Sequence, residues 1–216
     1  MSDQTLWNIG GIEFILTRER VLWIPSLKVL VISDVHLGKA THFRKGGIQV
    51  PLETERDNFD RLGDVILNYP CTQVVFLGDL FHSDYNQVWE VFASFLKTFK
   101  SIEFLLIPGN HDVLNPNEYK RAGLVLTETN YVRDNILFTH APLEKERNEL
   151  VICGHIHPAV RLKGKGKVSM KFPCFWLSNK QLVMPAFGAF TGSKIVKPKK
   201  GDRVAVLTEM GIHEVD

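Results

Sequence analysis

Lys28-Val29-Leu30-Val31-Ile32-Ser33-Asp34-Val35-His36 is the stretch whose reading decides the fold. Val29 to Ile32 are all apolar, and Val29, Val31 and Ile32 are β-branched, as in strands buried on both faces. The run stops at Asp34 and His36, which a sheet interior does not hold. Two later runs repeat the plan. Gln73 to Leu77 ends in Gly78-Asp79, and Ile102 to Ile107 ends in Pro108-Gly109-Asn110-His111-Asp112. Helical stretches separate them. Glu53 to Leu67 places Phe59, Leu62, Val65 and Ile66 on one side, with Glu53, Glu55 and Asp57 early, where the helix dipole favours acids. Gln87 to Phe99 carries Val88, Val91, Phe92, Phe95 and Leu96 at helical spacing.

Upstream, Ile12 to Leu16 and Val21 to Ile24 flank the polar break Thr17-Arg18-Glu19-Arg20, which predicts an N-terminal β-hairpin within residues 1–26. Downstream, strands are expected at Gly123 to Thr127, Tyr131 to Thr139, Leu150 to Cys153, Val168 to Leu177, Gln181 to Pro185 and Val204 to Glu209. Lys163-Gly164-Lys165-Gly166-Lys167 reads as a hairpin tip. An alternating β/α first half followed by a β-rich second half predicts an α/β fold with sheets in the middle and helices outside. At 216 residues, without internal repeat or long linker, the expectation is a single domain over residues 1–216. The apolar share of 44% beside 23% charged residues disfavours disorder and coiled coil, and no apolar stretch is long enough to span a bilayer. The start Met1-Ser2-Asp3-Gln4 has no secretory pattern, so a cytoplasmic location is expected. Cys71, Cys153 and Cys174 are widely spaced and form no CxxC pair, which predicts three buried thiols.

The chemistry-bearing residues follow the apolar runs. They are Asp34 and His36, then Asp79, then Asn110, His111 and Asp112, then His140 after Ile136 to Thr139, then His155 and His157 after Val151 to Gly154. Ligands bind in the loops beyond the carboxyl ends of strands in folds of this class. Carboxylate, amide and imidazole donors without thiolate suit borderline divalent metals such as Mn, Fe, Zn or Ni. The alternating histidines of Gly154-His155-Ile156-His157 can serve one metal cluster.

These five motifs, in this order between about Leu27 and His157, resemble those of the calcineurin-like metallophosphoesterase superfamily. Asp34 to Ala40, Phe43 to Pro51 and Pro185 to Gly192 resemble, more narrowly, the ligase-associated DNA-damage-response phosphoesterases of the PdeM group. The resemblance implies a four-layer αββα sandwich of two mixed sheets flanked by helices, with residues 158–216 completing the second sheet. It implies two divalent ions, with Mn the first expectation. One would be held by Asp34, His36, Asp79 and His157, the other by Asp79, Asn110, His140 and His155, Asp79 bridging. It implies a hydroxide bridging the ions as nucleophile on phosphorus, His111 as general acid and Asp112 orienting its imidazole. It also implies a bacterial repair setting with a DNA ligase, a helicase and a nuclease as partners, and a possible homodimer. Many relatives carry an acid shortly after Gly-Asp; here the residue is His82, either a substrate or supporting contact or a plain loop residue.

Net charge is only +2, but from Pro158 to Arg203 eleven basic residues face one acid, Asp202. That stretch carries +10 and the remainder −8. Such asymmetry points to a polyanionic partner. Lys39, Arg44 and Lys45 either line a substrate cleft or form a solvated loop. Phe172, Phe175 and Trp176 either stack on bases of single-stranded or damaged DNA or pack in the core. The function expected is a dinuclear-metal phosphodiesterase or endonuclease on DNA. The alternative is a phosphohydrolase of a small nucleotide or UDP-linked metabolite.

Overall fold

Two mixed β-sheets face each other in the computed structural model of the chain, which describes residues 2–39, 53–164, 169–189 and 191–215. Among the described residues the first sheet has seven strands in chain order. They are β1 (Gln4–Ile9), β2 (Ile12–Thr17), β3 (Val21–Ile24), β4 (Val29–Ile32), β5 (Gln73–Phe76), β6 (Glu103–Leu106) and β7 (Leu124–Leu126). β1 to β4 form an antiparallel meander, and β4 to β7 run parallel. Parallel neighbours need crossovers, and these are α1 (Glu53–Asn68), α2 (Gln87–Leu96) and α3 (Pro116–Arg121).

The two-faced burial expected of the central runs is visible residue by residue. Leu30, Ile32, Val74, Phe76, Phe104 and Leu106 face the helices, packing on Leu62, Val65 and Ile66 of α1, Trp89 and Phe92 of α2 and Tyr119 of α3. Their alternates Val29, Val31, Val75, Leu77, Leu105 and Ile107 face the second sheet. Each such side chain contributes about 1.5–3 kcal/mol by leaving water.

The second sheet contains β8 (Asn130–Arg133), β9 (Ile136–Thr139), β10 (Leu150–Cys153), β11 (Pro158–Lys163), β12 (Ser169–Ser178), β13 (Gln181–Val183), β14 (Lys194–Ile195), β15 (Arg203–Thr208) and β16 (Gly211–Val215). β14-β11-β12-β13-β10-β9-β8 are neighbours in that order, and β15 and β16 extend from β12. Ile136, Phe138, Ile152, Phe175, Leu182 and Ala205 close the core between the sheets. Every strand after Pro158 joins this sheet. Among the described residues the helices pack on the outer face of the first sheet, and no helix follows Leu126.

Several expectations are refined. Tyr131 to Thr139 is two strands, because Asp134 (φ 48) and Asn135 (φ 62) make the left-handed pair of a tight hairpin turn. The N-terminal hairpin gains a third strand, β1, whose half-exposed polar alternation hides a buried Trp7. The second helix stops at Leu96 rather than Phe99. Cys71, Cys153 and Cys174 are free and buried, as expected. Arg44, Lys45, the Phe43 to Pro51 motif and most of the Lys163 to Lys167 tip lie outside the described residues.

Candidate metal centre

The loops after β4 and β5 run side by side. Asp34 N–H donates to Gly78 O at 3.2 Å, His36 N–H to Asp79 O at 2.9 Å and Leu37 N–H to Leu80 O at 2.9 Å. The second sheet joins them. His155 N–H donates to Asp34 Oδ2 at 2.9 Å, and Ser33 Oγ–H donates to the same oxygen. The loop after β13 crosses over as well, Phe187 N–H donating to Ser33 O at 2.8 Å and Gly188 N–H to Asp34 O at 3.1 Å.

Small residues permit this approach. A Cβ on Gly154 would collide with Ser33 and Asp34, and one on Gly109 would lie 2.8 Å from His140 Cε1. Asp34, His36, Asp79, His155 and His157 all have φ between 48° and 68°. Left-handed backbone at non-glycine residues is strained by about 1–3 kcal/mol each and persists where the surroundings over-determine it. Five such residues converge on one point between the sheets.

Two groups of side chains result: Asp34 with His36 and His157, and Asp79 with His140 and His155, each with its ligand atoms within 4.8 Å of one another. Asp79 looks both ways, Oδ1 lying 3.6 Å from His140 Nε2 and Oδ2 3.8 Å from His36 Nε2. Asn110 Oδ1 joins the second group, 3.2 Å from His140 Nε2. Carbonyls hold the rings: His140 Nδ1 donates to Leu77 O at 2.7 Å and His157 Nδ1 to Gly192 O at 2.8 Å. Both Nε2 atoms are thereby turned inward as lone-pair donors.

Asp34 Oδ1, His36 Nε2 and His157 Nε2 are buried and make no regular hydrogen bond, Asp34 Oδ1 and His157 Nε2 facing each other at 3.1 Å. Buried polar atoms are seldom left unmatched, and three in one group are what a cation ligand set looks like with its lone pairs directed inward. The donors fit two divalent ions, and the groups describe a dinuclear metal centre. Burial, with Lys39 adding to it, pushes His36 down to about 3, so its imidazole is neutral and ready to ligate. Burial and His140 also lower His155. For His157 burial opposes protonation, but Asp34 3.1 Å away outweighs it and raises the imidazole. Burial would raise Asp34, yet His157 and Ser33 hold it below its ordinary value.

His111 is anchored by its N–H to Asp79 Oδ1 at 2.9 Å and stacks on His82 at 3.8 Å between centroids. His82 in turn sets its Nδ1 3.1 Å from His36 Nδ1. His82 is therefore part of the histidine cluster rather than a plain loop residue. Asp112 differs from expectation. Its Oδ1 accepts from Leu80 N–H at 2.9 Å and Phe81 N–H at 3.0 Å, and its Oδ2 from Gly109 N–H at 2.8 Å. The backbone occupies both oxygens, so it clamps the β5 and β6 loops and does not orient the His111 ring. Burial pushes Asp112 up to about 6 despite these bonds. Lys39 is half-buried; burial lowers its ammonium, while Asp79 and Asp34 act to raise it.

Sequence reasoning passed over Arg20 and Arg61. Arg20 Nη1 donates to Ala186 O at 3.1 Å and Arg61 Nη1 to Phe187 O at 3.3 Å, tying down the loop that rests on Asp34. Nothing local in sequence signals this, because the partners are 166 and 126 residues away. Of the three aromatics, Phe175 is core, and Phe172 and Trp176, both partly buried, pack on the cluster of Val160, Cys174 and Val204, with Trp176 Nε1 bonding Asp202 Oδ2 at 2.9 Å. No described helix is long and apolar enough to cross a membrane.

Comparison with known proteins agrees with this geometry. The family model of calcineurin-like phosphoesterases matches residues 27–210. The crystal structure of the Pseudomonas putida nuclease MPE superposes with a TM-score of 0.79 at 21% sequence identity, covering 98% of this chain and all of that one, a likeness of fold. No curated protein matches the chain at a significant level. A family match over most of the chain, joined to two His/Asp groups at the strand ends, places this protein in the calcineurin-like phosphoesterase family as a metal-dependent phosphoric ester hydrolase.

Proposed function

We propose that the chain is a phosphodiesterase or endonuclease acting on DNA, with residues 1–216 working as one unit because both sheets supply ligands. The observation that carries the reading is the pair of His/Asp groups with Asp79 directed at both. Three features favour a nucleic acid. The fold neighbour is a nuclease. Arg161 sits directly opposite Lys171 on adjacent strands, a like-charge pairing that a polyanion relieves. The stretches beginning at Asp34 and Pro185 resemble repair phosphoesterases, which also points to ligase, helicase and nuclease partners.

Asp34, His36, Asp79 and His157 would hold one ion, and Asp79, Asn110, His140 and His155 the other, manganese being the first candidate for this oxygen and nitrogen set. When bound, two divalent ions polarise the phosphoryl oxygens and lower the pKa of water towards neutrality. Ser33 and the His155 N–H orient the Asp34 carboxylate, and Leu77 O and Gly192 O orient His140 and His157. His111 delivers a proton to the leaving oxygen, with His82 stacked behind its ring. Asp112 positions the loop that carries His111.

The test is a hydrolysis screen with added Mn, comparing a phosphodiester model compound, a phosphomonoester, single- and double-stranded DNA and UDP-sugars. DNA cleavage abolished by EDTA is expected. Turnover of metabolites alone would replace this reading with a small-molecule phosphohydrolase. His111→Ala is expected to retain two ions and lose about 10²–10⁴-fold in turnover. Full activity in that variant would remove His111 from the mechanism.

A further inference from the structure

A cleft of about 490 Å³ lies between the β2–β3 turn, α1, β12 and the β15–β16 turn, walled by Arg18, Glu19, Arg20, Arg61, Phe172 and Glu209. A smaller cavity of about 80 Å³ reaches His157. The two share Arg20 and Pro173 in their linings.

The cations of this cleft are arranged against their own electrostatics. Arg20 and Arg61 are both mostly removed from water and repel each other; burial first, then Arg61, lowers Arg20. Burial lowers Arg61 too, against the pull of Glu19 and Asp57. Among the described residues neither forms an ion pair with a carboxylate. Their bonds go to the carbonyls of Ala186, Phe187, Gly188 and Glu19. Arg20 commits only Nη1 to these carbonyls, although a guanidinium carries five N–H donors. Its own backbone is left-handed, φ 68. Neither guanidinium thus has a carboxylate within ion-pair distance among the described residues, Arg61 feeling Glu19 and Asp57 only at longer range and lying 4.4 Å over the Phe187 ring; an anion would add the close counter-charge, and planar forks suit phosphate oxygens. Phe172, partly buried against Val160 and Cys174, lends the wall an apolar edge against which a base can lie.

We infer that Arg20 and Arg61 form a phosphate subsite that binds the next phosphodiester of a single-stranded nucleic acid whose scissile phosphate sits at the metal centre. This rests on the phosphodiesterase reading above. Loop 185–189 transmits between the two places, because its Phe187 and Gly188 N–H groups bond the Ser33 and Asp34 carbonyls while its own carbonyls bond the arginines.

The probe is a short fluorescent oligothymidylate titrated into metal-free protein by anisotropy at several NaCl concentrations. Each phosphate contact to a single strand adds about 0.7 to the magnitude of the log K against log salt slope. Arg61→Gln is expected to weaken binding several-fold and lower the slope by about 0.7. Because Arg61 also anchors a loop, the deciding variant is Glu209→Lys, which replaces an exposed acid of the cleft wall and is expected to tighten binding and steepen the slope. A gain of that kind cannot come from misfolding. Arg147→Gln, outside the cleft, is the control. Unchanged affinity and slope in both Arg61→Gln and Glu209→Lys would overturn the subsite. Hydrolysis of bis(p-nitrophenyl) phosphate by the Mn-loaded wild type tests the metal centre separately, so failure there sinks the phosphodiesterase reading while the binding arm still decides the cleft.

Discussion

Gly154→Ala is the most direct perturbation of the centre from outside its ligand set. The added methyl would sit 3.0 Å from Ser33 Cβ and much closer still to Ser33 Oγ and Asp34 Oδ2. Ser33 and Asp34 are fully buried, so neither has room to withdraw. Overpacking of this kind costs about 1–3 kcal/mol, and losing the Ser33 bond to a carboxylate about 1.5–3 kcal/mol more. A total of about 2.5–6 kcal/mol corresponds to roughly 5–24 °C in a chain of this size. The Asp34 carboxylate is also moved off its supports, which lowers metal affinity about 10–100-fold. The assay is thermal unfolding of the metal-free protein, with Mn affinity measured by competition against a chelating dye. Gly192→Ala is the matched control, because nothing lies within 4 Å of its Cβ position. Ser33→Ala combined with Gly154→Ala removes the clashing hydroxyl, so the double variant should be less destabilised than the two singles added together. A Gly154→Ala protein that melts and binds Mn like the wild type would refute the account of how the two sheets meet.

Asp79→Asn is expected to lower occupancy of both ions; two tightly bound ions per chain by elemental analysis would contradict the shared carboxylate. In metal-free protein, His36 titrates at about 3 when folded and near 6.5 when unfolded. Between those values the unfolded state binds the extra proton, so stability falls as pH drops through that window. His36→Gln should reduce the slope by up to about 1.4 kcal/mol per pH unit, read from urea unfolding at pH 4 to 6, and an unaltered slope would show that His36 is not buried neutral. Burial pushes the Cys174 thiol up to about 12 and Cys153 also well up. Both should react slowly with a disulfide reagent in the native protein and at once in guanidinium, and fast native labelling of either would contradict their burial.

The parallel strands were legible because burial on both faces leaves an unbroken apolar run, as in Val29 to Ile32. The motif residues were legible because each run ends abruptly in Asp, Asn or His. What sequence hid was of two kinds. Strands β1 and β16 pair antiparallel at the sheet margins, where half-exposed polar alternation resembles loop. Contacts such as Arg20 to Ala186 join segments far apart in the chain, and no local pattern encodes them. Asp112 shows a third limit: its place beside His111 invited a catalytic partnership, whereas its oxygens face three backbone N–H groups.

The left-handed backbone at Asp34, His36, Asp79, His155 and His157 has an evolutionary consequence. Glycine tolerates that conformation freely, and asparagine is among the residues enriched in it. At His155, whose side chain is exposed, substitution to glycine should therefore relax the chain while removing a ligand, whereas at Asp34 and Asp79 the lost bonds from His155 N–H and His111 N–H oppose any gain. A library screened for heat resistance in a chelating medium would drift towards glycine and asparagine at His155 and yield sturdier, inactive proteins. The same library screened with Mn and a phosphodiester would keep all five. A residue that equips this protein for catalysis is thus one that a stability screen alone would discard.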